Sequence, residues 1–140
     1  MSPIGKTKDV GYQFGVRKTF PVPSKKLWDF LLSPKGLKIW LGDSPTSLEL
    51  NQEFITSDEV KGMVRVFQPY SHLRMSWQGK DWLNSSTVQL RVIDKDDKAT
   101  VSFHQEKLHD AQQRDQVKKY WNKIIDNLEA QIQKEINSKP

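Results

Sequence analysis

Residues Asp110 to Ser138 run DAQQRDQVKKYWNKIIDNLEAQIQKEINS. Val117, Trp121, Ile124, Ile125, Leu128, Ile132 and Ile136 recur every three or four residues, which is the period of a helix with one apolar face. Asp110 followed by Gln113 has the form of a capping box, a short acceptor covering early N–H groups and an amide able to reach back. No proline or glycine interrupts the run before Pro140. At about 1.5 Å per residue such a helix is roughly 40 Å long. Its apolar side includes Tyr120 and Trp121, so a broad surface has to cover it. The spacing is too loose and the run too short for a sustained heptad, which sets a coiled coil aside.

The cover has to come from earlier in the chain, where most of the strand-like sequence lies. Phe14, Val16 and Phe20 alternate with Arg17 and Thr19, predicting a first strand over 12–20. Lys18 falls on the apolar side; its stem can lie along that face while the amine escapes at an edge. Pro21 and Pro23 end the strand. Ser24 is the expected cap of a short helix carrying Leu27, Trp28, Leu31 and Leu32. Ser33-Pro34 opens a second, with serine as cap and proline in the first position, and Gly42 suits its C-terminal end.

From Ser47 onward the chain reads as strands and turns. Leu48 and Leu50 alternate, Phe54-Ile55 is short, and Val60 and Met63–Phe67 follow, with Gly62 as a bulge or close-approach point. Leu73, Met75 and Trp77 share one face, as do Val88, Leu90 and Val92, and then Val101 and Phe103. Asp94-Lys95-Asp96-Asp97 is a hairpin turn. One-sided alternation of this kind predicts an antiparallel sheet with one wet face. The expected fold is α+β, with about six or seven strands curled around the long C-terminal helix and two short helices closing one end. Residues 1–11 read as a loose arm and 12–138 as a single domain.

Composition narrows the function classes. With 22 Lys and Arg against 17 Asp and Glu the net charge is +5. The excess is concentrated at the N-terminus, where a solvated end is the simplest reading. There is no cysteine, so disulfides and thiol catalysis are excluded. No apolar run is long enough for a membrane span and none resembles a signal peptide, so a cytoplasmic protein is expected, as monomer or weak homodimer.

Residues suited to chemistry are sparse. His72, His104 and His109 show no metal-binding spacing, so neither a metal nor a cofactor is expected. The nucleophile elbow Gly-x-Ser-x-Gly and phosphate-binding glycine loops are missing. Asp58-Glu59 and Asp96-Asp97 read as solvated turns. Arg17, Arg65, Arg74 and Arg91 could share the outer sheet face, but a nucleic-acid platform there needs aromatic partners, and the outward positions offer few; no nucleic acid is expected.

The aromatic distribution says more. Trp28, Trp40, Trp77, Trp82 and Trp121 fall on every element that would border the space between sheet and helix. They either fill that space or line it. If they line it, the apolar wall is Trp28, Trp40, Met75, Trp77, Leu90, Phe103, Trp121 and Ile125, with Gln78, Asp81, Trp82, His104 and Glu106 as a rim. Such a wall fits a small, partly aromatic or acyl ligand held by shape and burial.

Several stretches carry a family resemblance over about residues 12–136. They are Phe20-x-Val22-Pro23 with Leu27-Trp28; Pro34-x-Gly36-Leu37-x-x-Trp40-Leu41; Gly62 before a strand; Leu73-x-x-Ser76-Trp77; Ser86-Thr87-Val88-x-Leu90; Thr100-x-x-Phe103-His104; and a long helix with Arg114, Trp121 and Leu128. Together they resemble the helix-grip (SRPBCC, START-like) superfamily. Within it the chain is similar to bacterial relatives of the activator of heat-shock-protein-90 ATPase homologue. That resemblance implies a hydrophobic cavity between sheet, short helices and long helix. Superfamily members include ligand carriers, hydrolases, cyclases and chaperone partners, so the resemblance implies one of three functions. The first is non-enzymatic binding of a small hydrophobic ligand. The second is a chaperone-interacting or stress-response module. The third is a small pocket enzyme.

Overall fold

The computed structural model describes residues 6–7, 11–43, 45 and 47–137, and of residues 6, 7, 136 and 137 the backbone only. Most of the expected arm, the side chain of Ile136, and Ser138 lie outside the described residues. In chain order the elements are β1 (Lys6–Thr7), β2 (Gly11–Phe20), α1 (Ser24–Leu32), α2 (Pro34–Trp40), β3 (Glu53–Ile55), β4 (Lys61–Gln68), β5 (His72–Gln78), β6 (Ser86–Lys95), β7 (Lys98–Leu108) and α3 (Ala111–Asn137). Lys6 and Thr7, within the stretch expected to be loose, pair with Tyr12 and Gly11.

The strands form one antiparallel sheet in the order β1-β2-β7-β6-β5-β4-β3. Alternation sends Val16, Val64, Leu73, Met75, Val88, Leu90, Val101 and Phe103 inward, and α3 lies across that face with Val117, Trp121, Ile124, Ile125, Leu128 and Ile132 turned to it. Burying each such side chain contributes about 1.5–3 kcal/mol, so the sheet–helix interface holds the fold together. Lys18 sits on the inward parity as expected, and its amine reaches Glu129 of α3 at 2.8 Å.

Local chemistry explains the ends of the elements. Asp110 Oδ1 accepts the Gln113 N–H at 2.8 Å, and Gln113 Oε1 accepts the His109 N–H at 2.9 Å. The capping box therefore forms, with the return bond one residue upstream of the cap. Ser33 caps α2, its hydroxyl accepting the Gly36 N–H at 3.1 Å, with Pro34 in the first turn. Gly36 also lets the two short helices meet: a β-carbon there would stand 2.0 Å from the Phe30 carbonyl oxygen. Trp40 Nε1–H then donates to the Leu31 carbonyl at 2.9 Å, satisfying a buried acceptor at the end of α1.

Three local expectations are corrected. Pro23, not Ser24, occupies the cap position of α1, and no side chain bonds to the free N–H groups there. Leu48 and Leu50 form no strand; Leu50 makes a single parallel bridge to Val64 and is half exposed. The apolar alternation is too short there to secure a partner. Gly62 is a close-approach point and not the bulge. A β-carbon there would meet Ser76 O at 2.0 Å, while the register shift falls between Val64 and Val66.

Candidate functional site

The eight residues expected to line a cavity are all buried, but they fall into separate neighbourhoods. Trp40, Phe103 and Trp121 form the centre: Phe103 stacks on Trp121 at 4.5 Å, and Trp40 packs against Phe103 at 5.7 Å. Met75 and Leu90 are fully buried among the inward residues of the central strands. Trp28 lies toward the β4–β5 turn, edge-on to Phe67 at 6.0 Å and near Tyr70. Trp77 lies toward the other end of its strand, with Trp82 at 5.2 Å and Tyr120 at 6.2 Å. Ile125 is on the buried stripe of α3.

A polar chain runs through the centre. Trp121 Nε1–H donates to Gln105 Oε1 at 2.8 Å, Gln105 Nε2 donates to Ser86 Oγ at 2.8 Å, and Ser86 Oγ–H donates to the Trp77 carbonyl at 2.6 Å. Gln105 is fully buried. Every buried side-chain N or O among the described residues has a partner, as a low-dielectric interior requires. The chain fixes the indole of Trp121 and ties α3 to β6 and β7. Sequence reasoning missed Gln105, although the parity of Val101 and Phe103 points it inward.

Space opens where the β3–β4 and β5–β6 connections meet the first half of α3. An apolar cleft of about 280 Å³ is lined there by Asp58, Val60, Trp77, Gly79, Lys80, Trp82, Gln116, Val117 and Tyr120. The Tyr120 hydroxyl donates to the Trp40 carbonyl. Burial, with Asp58 adding to it, pushes that hydroxyl well above the ordinary tyrosine range, so it stays a neutral donor. The β5–β6 loop is braced to the helix start: Asn84 and Gln113 exchange amide hydrogen bonds at 2.9 and 3.1 Å. Gln78 Nε2 donates to the Trp82 carbonyl at 2.6 Å, holding the loop that carries that ring.

Of the expected wall, only Trp77 borders this cleft; of the expected rim, only Trp82 does. Gln78 and Asp81 line an adjoining groove with Ile55, Glu59 and Lys61. His104 and Glu106 occupy the outward parity of β7. His104 meets Gln13 at 2.8 Å, and Glu106 pairs with Arg74 at 2.7 Å. Val117 and Tyr120 stand out in the sequence only as part of the helix; Val117 sits one turn before Trp121 and Tyr120 immediately before it, but which turn borders open space depends on where two loops come to rest.

The outer face carries Arg17, Arg65, Arg74 and Arg91, as their strand positions suggested. His72 lies beside them, its imidazole held below the ordinary range by desolvation and by the positive charges of Arg91 and Arg74. Among the described residues no cluster of three or more His, Asp or Glu is placed to hold a metal ion. No described helix is long and apolar enough to cross a membrane.

A curved antiparallel sheet gripping a long C-terminal helix, with two short helices after the first long strand, is the helix-grip architecture of the SRPBCC superfamily. Solved structures share it. Protein MLL2253 from Mesorhizobium loti is similar with a TM-score of 0.76 at 20% identity, over 87% of this chain and 97% of that one. CalU16 from Micromonospora echinospora gives 0.76 at 19%, over 84% and 74%. An HSP90 activator from Plasmodium falciparum gives 0.60 at 16%, over 69% and 74%. At these identities the likeness speaks for the fold alone. Residues 21–133 match the family described as activator of Hsp90 ATPase homolog 1-like protein, and the chain belongs to that family. No curated protein matches it.

Proposed function

We propose that the protein is a non-enzymatic binding module that holds a small, neutral, partly aromatic molecule in the cleft between Trp77, Trp82, Val117 and Tyr120. The observation that carries this reading is the convergence of three aromatic rings on an apolar space of about 280 Å³ at the margin of the buried core. Flat rings offer area and shape at low entropic cost, and the Asp58 and Lys80 side chains at the edge suit one or two polar contacts. A ligand wholly beneath Trp121 would have to displace the Phe103 stack and break the Gln105 chain, which disfavours the deep cavity expected from the superfamily.

The test uses N-phenyl-1-naphthylamine, an uncharged fluorescent probe. Saturable enhancement is expected, together with quenching of tryptophan emission. Trp82→Ala should weaken binding about tenfold, in line with the loss of an aromatic wall, and Val117→Phe should fill the cleft and abolish binding while the thermal transition stays cooperative. Enhancement that is unsaturable, or unchanged by both substitutions, would remove the cleft from consideration.

The family description supports a second reading, a chaperone-interacting module. Stimulation of a bacterial Hsp90-type ATPase by the intact chain would favour it, and an unchanged ATPase rate across an excess of the protein would discard it.

A further inference from the structure

The outer face of the sheet holds the larger recess. A cleft of about 420 Å³ is lined there by the side chains of Arg65, Arg74, Ser76, Ser85, Thr87 and Lys107. A second of about 230 Å³ adjoins it and shares Arg65, Ser76 and Ser85. The two face away from α3. Arg65 is projected by the register shift between Val64 and Val66, and it is exposed with no ion-pair partner among the described residues. Arg74 reaches Glu106 at 2.7 Å, and that carboxylate is 13% exposed. Lys107 stands at the end of β7 with φ 63, turned out of the strand's regular alternation.

The hydroxyls complete the recess. Ser76 pairs across β6 with Thr87, so the two stand side by side on the outer face. Ser76 Oγ accepts the Met63 N–H at 2.9 Å, which leaves its own proton free to donate outward. Ser86 is committed inward, to Gln105 and the Trp77 carbonyl. The larger cleft thus gathers Arg65, Arg74, Lys107, Ser76, Ser85 and Thr87 with no acidic residue in its lining.

We propose that this outer cleft binds the phosphate group of a small phosphate monoester, with Arg65, Lys107 and Arg74 as its cations and Ser76, Ser85 and Thr87 as neutral donors. A carboxylate has two oxygens and would leave much of this donor set idle. A phosphate dianion has three terminal oxygens and takes several charge-assisted bonds at once. The cleft is roomier than the bare anion, so an organic portion extends toward the adjoining recess. No Phe, Tyr or Trp lies on the outward positions of β4–β7, and the one aromatic among the described residues lining the two recesses, Phe54, is buried, so the face lacks the exposed stacking partners that single-stranded nucleic acid requires. The site is independent of the cleft at Tyr120 and lies on the opposite side of the sheet.

The experiment titrates inorganic phosphate and phenyl phosphate into the ¹⁵N-labelled protein at constant ionic strength, at a pH where both are dianions. Saturable amide shifts at Arg65, Ser76, Ser85, Thr87 and Lys107 are expected, with phenyl phosphate the tighter. Arg65→Ala should weaken binding about tenfold, the scale of a lost charge-assisted bond. Arg17→Ala, on the same face outside the cleft, should leave it unchanged. Glu106→Gln removes a negative charge beside the site and frees Arg74, so affinity should rise about threefold or more; a misfolded variant cannot give that gain. Vesicles containing phosphatidic acid separate the sources: retention together with phenyl phosphate binding points to a lipid headgroup, and phenyl phosphate binding alone to a soluble ester. Shifts reproduced by sodium chloride, equal loss in Arg17→Ala, or no gain in Glu106→Gln would overturn the site, as would vesicle binding with no response to either soluble phosphate.

Discussion

The two faces of β7 differ in burial and in polarity. Ala99, Val101, Phe103 and Gln105 point to the helix and are buried, while Ser102, His104 and Glu106 alternate with them on the other side. The chain is the same and neighbouring side chains are one residue apart. Inside, the single polar group, Gln105, bonds to both Trp121 and Ser86. Outside, Glu106 shares an ion pair with an arginine that is 41% exposed, where water competes for the same contact. A polar group's contribution here is set by which side of the sheet it faces, more than by the length of its bonds.

That contrast can be broken in order of expected effect. Phe103→Ala opens the stack on Trp121 and should cost about 3–5 kcal/mol in urea unfolding, the usual range for a buried aromatic. Gln105→Leu keeps the volume but leaves the Trp121 N–H without an acceptor, for about 1–3 kcal/mol. Combining it with Trp121→Phe removes both partners, so the double variant should lose less than the sum of the singles. Additive losses would mean that the bond contributes nothing beyond packing. On the outer face, Arg74→Gln should cost at most about 1 kcal/mol, less at high salt, since solvent already screens the pair.

The smallest effect is a pH dependence. His72 is held below its ordinary value of 6.5 by desolvation, then by Arg91 and Arg74. The unfolded chain therefore takes up the proton first as pH falls. Above 6.5 both states are neutral and the residue contributes no slope. As pH falls through 6.5 toward the depressed value, stability declines, and below both it levels off. Thermal melts in that window should show the decline, Arg91→Gln should reduce it, and His72→Gln should remove this part of it. An unchanged slope in His72→Gln would assign the dependence to other groups.

How much was legible depends on how local each cause is. The helix over 111–137, its capping pair Asp110 and Gln113, the cap at Ser33 and the inward sides of β5, β6 and β7 follow from spacing within a few residues. Ser24 does not cap α1 because the Pro23 carbonyl already accepts the Leu27 N–H at 3.0 Å, which starts the helix one residue earlier; the Leu48–Leu50 strand did not form because a propensity without a partner surface is a weak instruction. The candidate site was half legible. Trp77 and Trp82 were singled out for their type, yet the central rings closed on one another, and the space appeared near Val117 and Tyr120.

By itself the sequence determined the class of fold, the apolar face of the last helix and the sidedness of the strands, because hydrophobic period and burial are properties of consecutive residues. The tertiary structure alone decided that Trp121 is pinned by Gln105, that an apolar cleft of about 280 Å³ lies beside Tyr120, and that Arg65 and Lys107 share a recess with Ser76 and Thr87. The partners in these groups lie on different elements, and their separations arise only when the sheet has curled and the loops have settled on the helix.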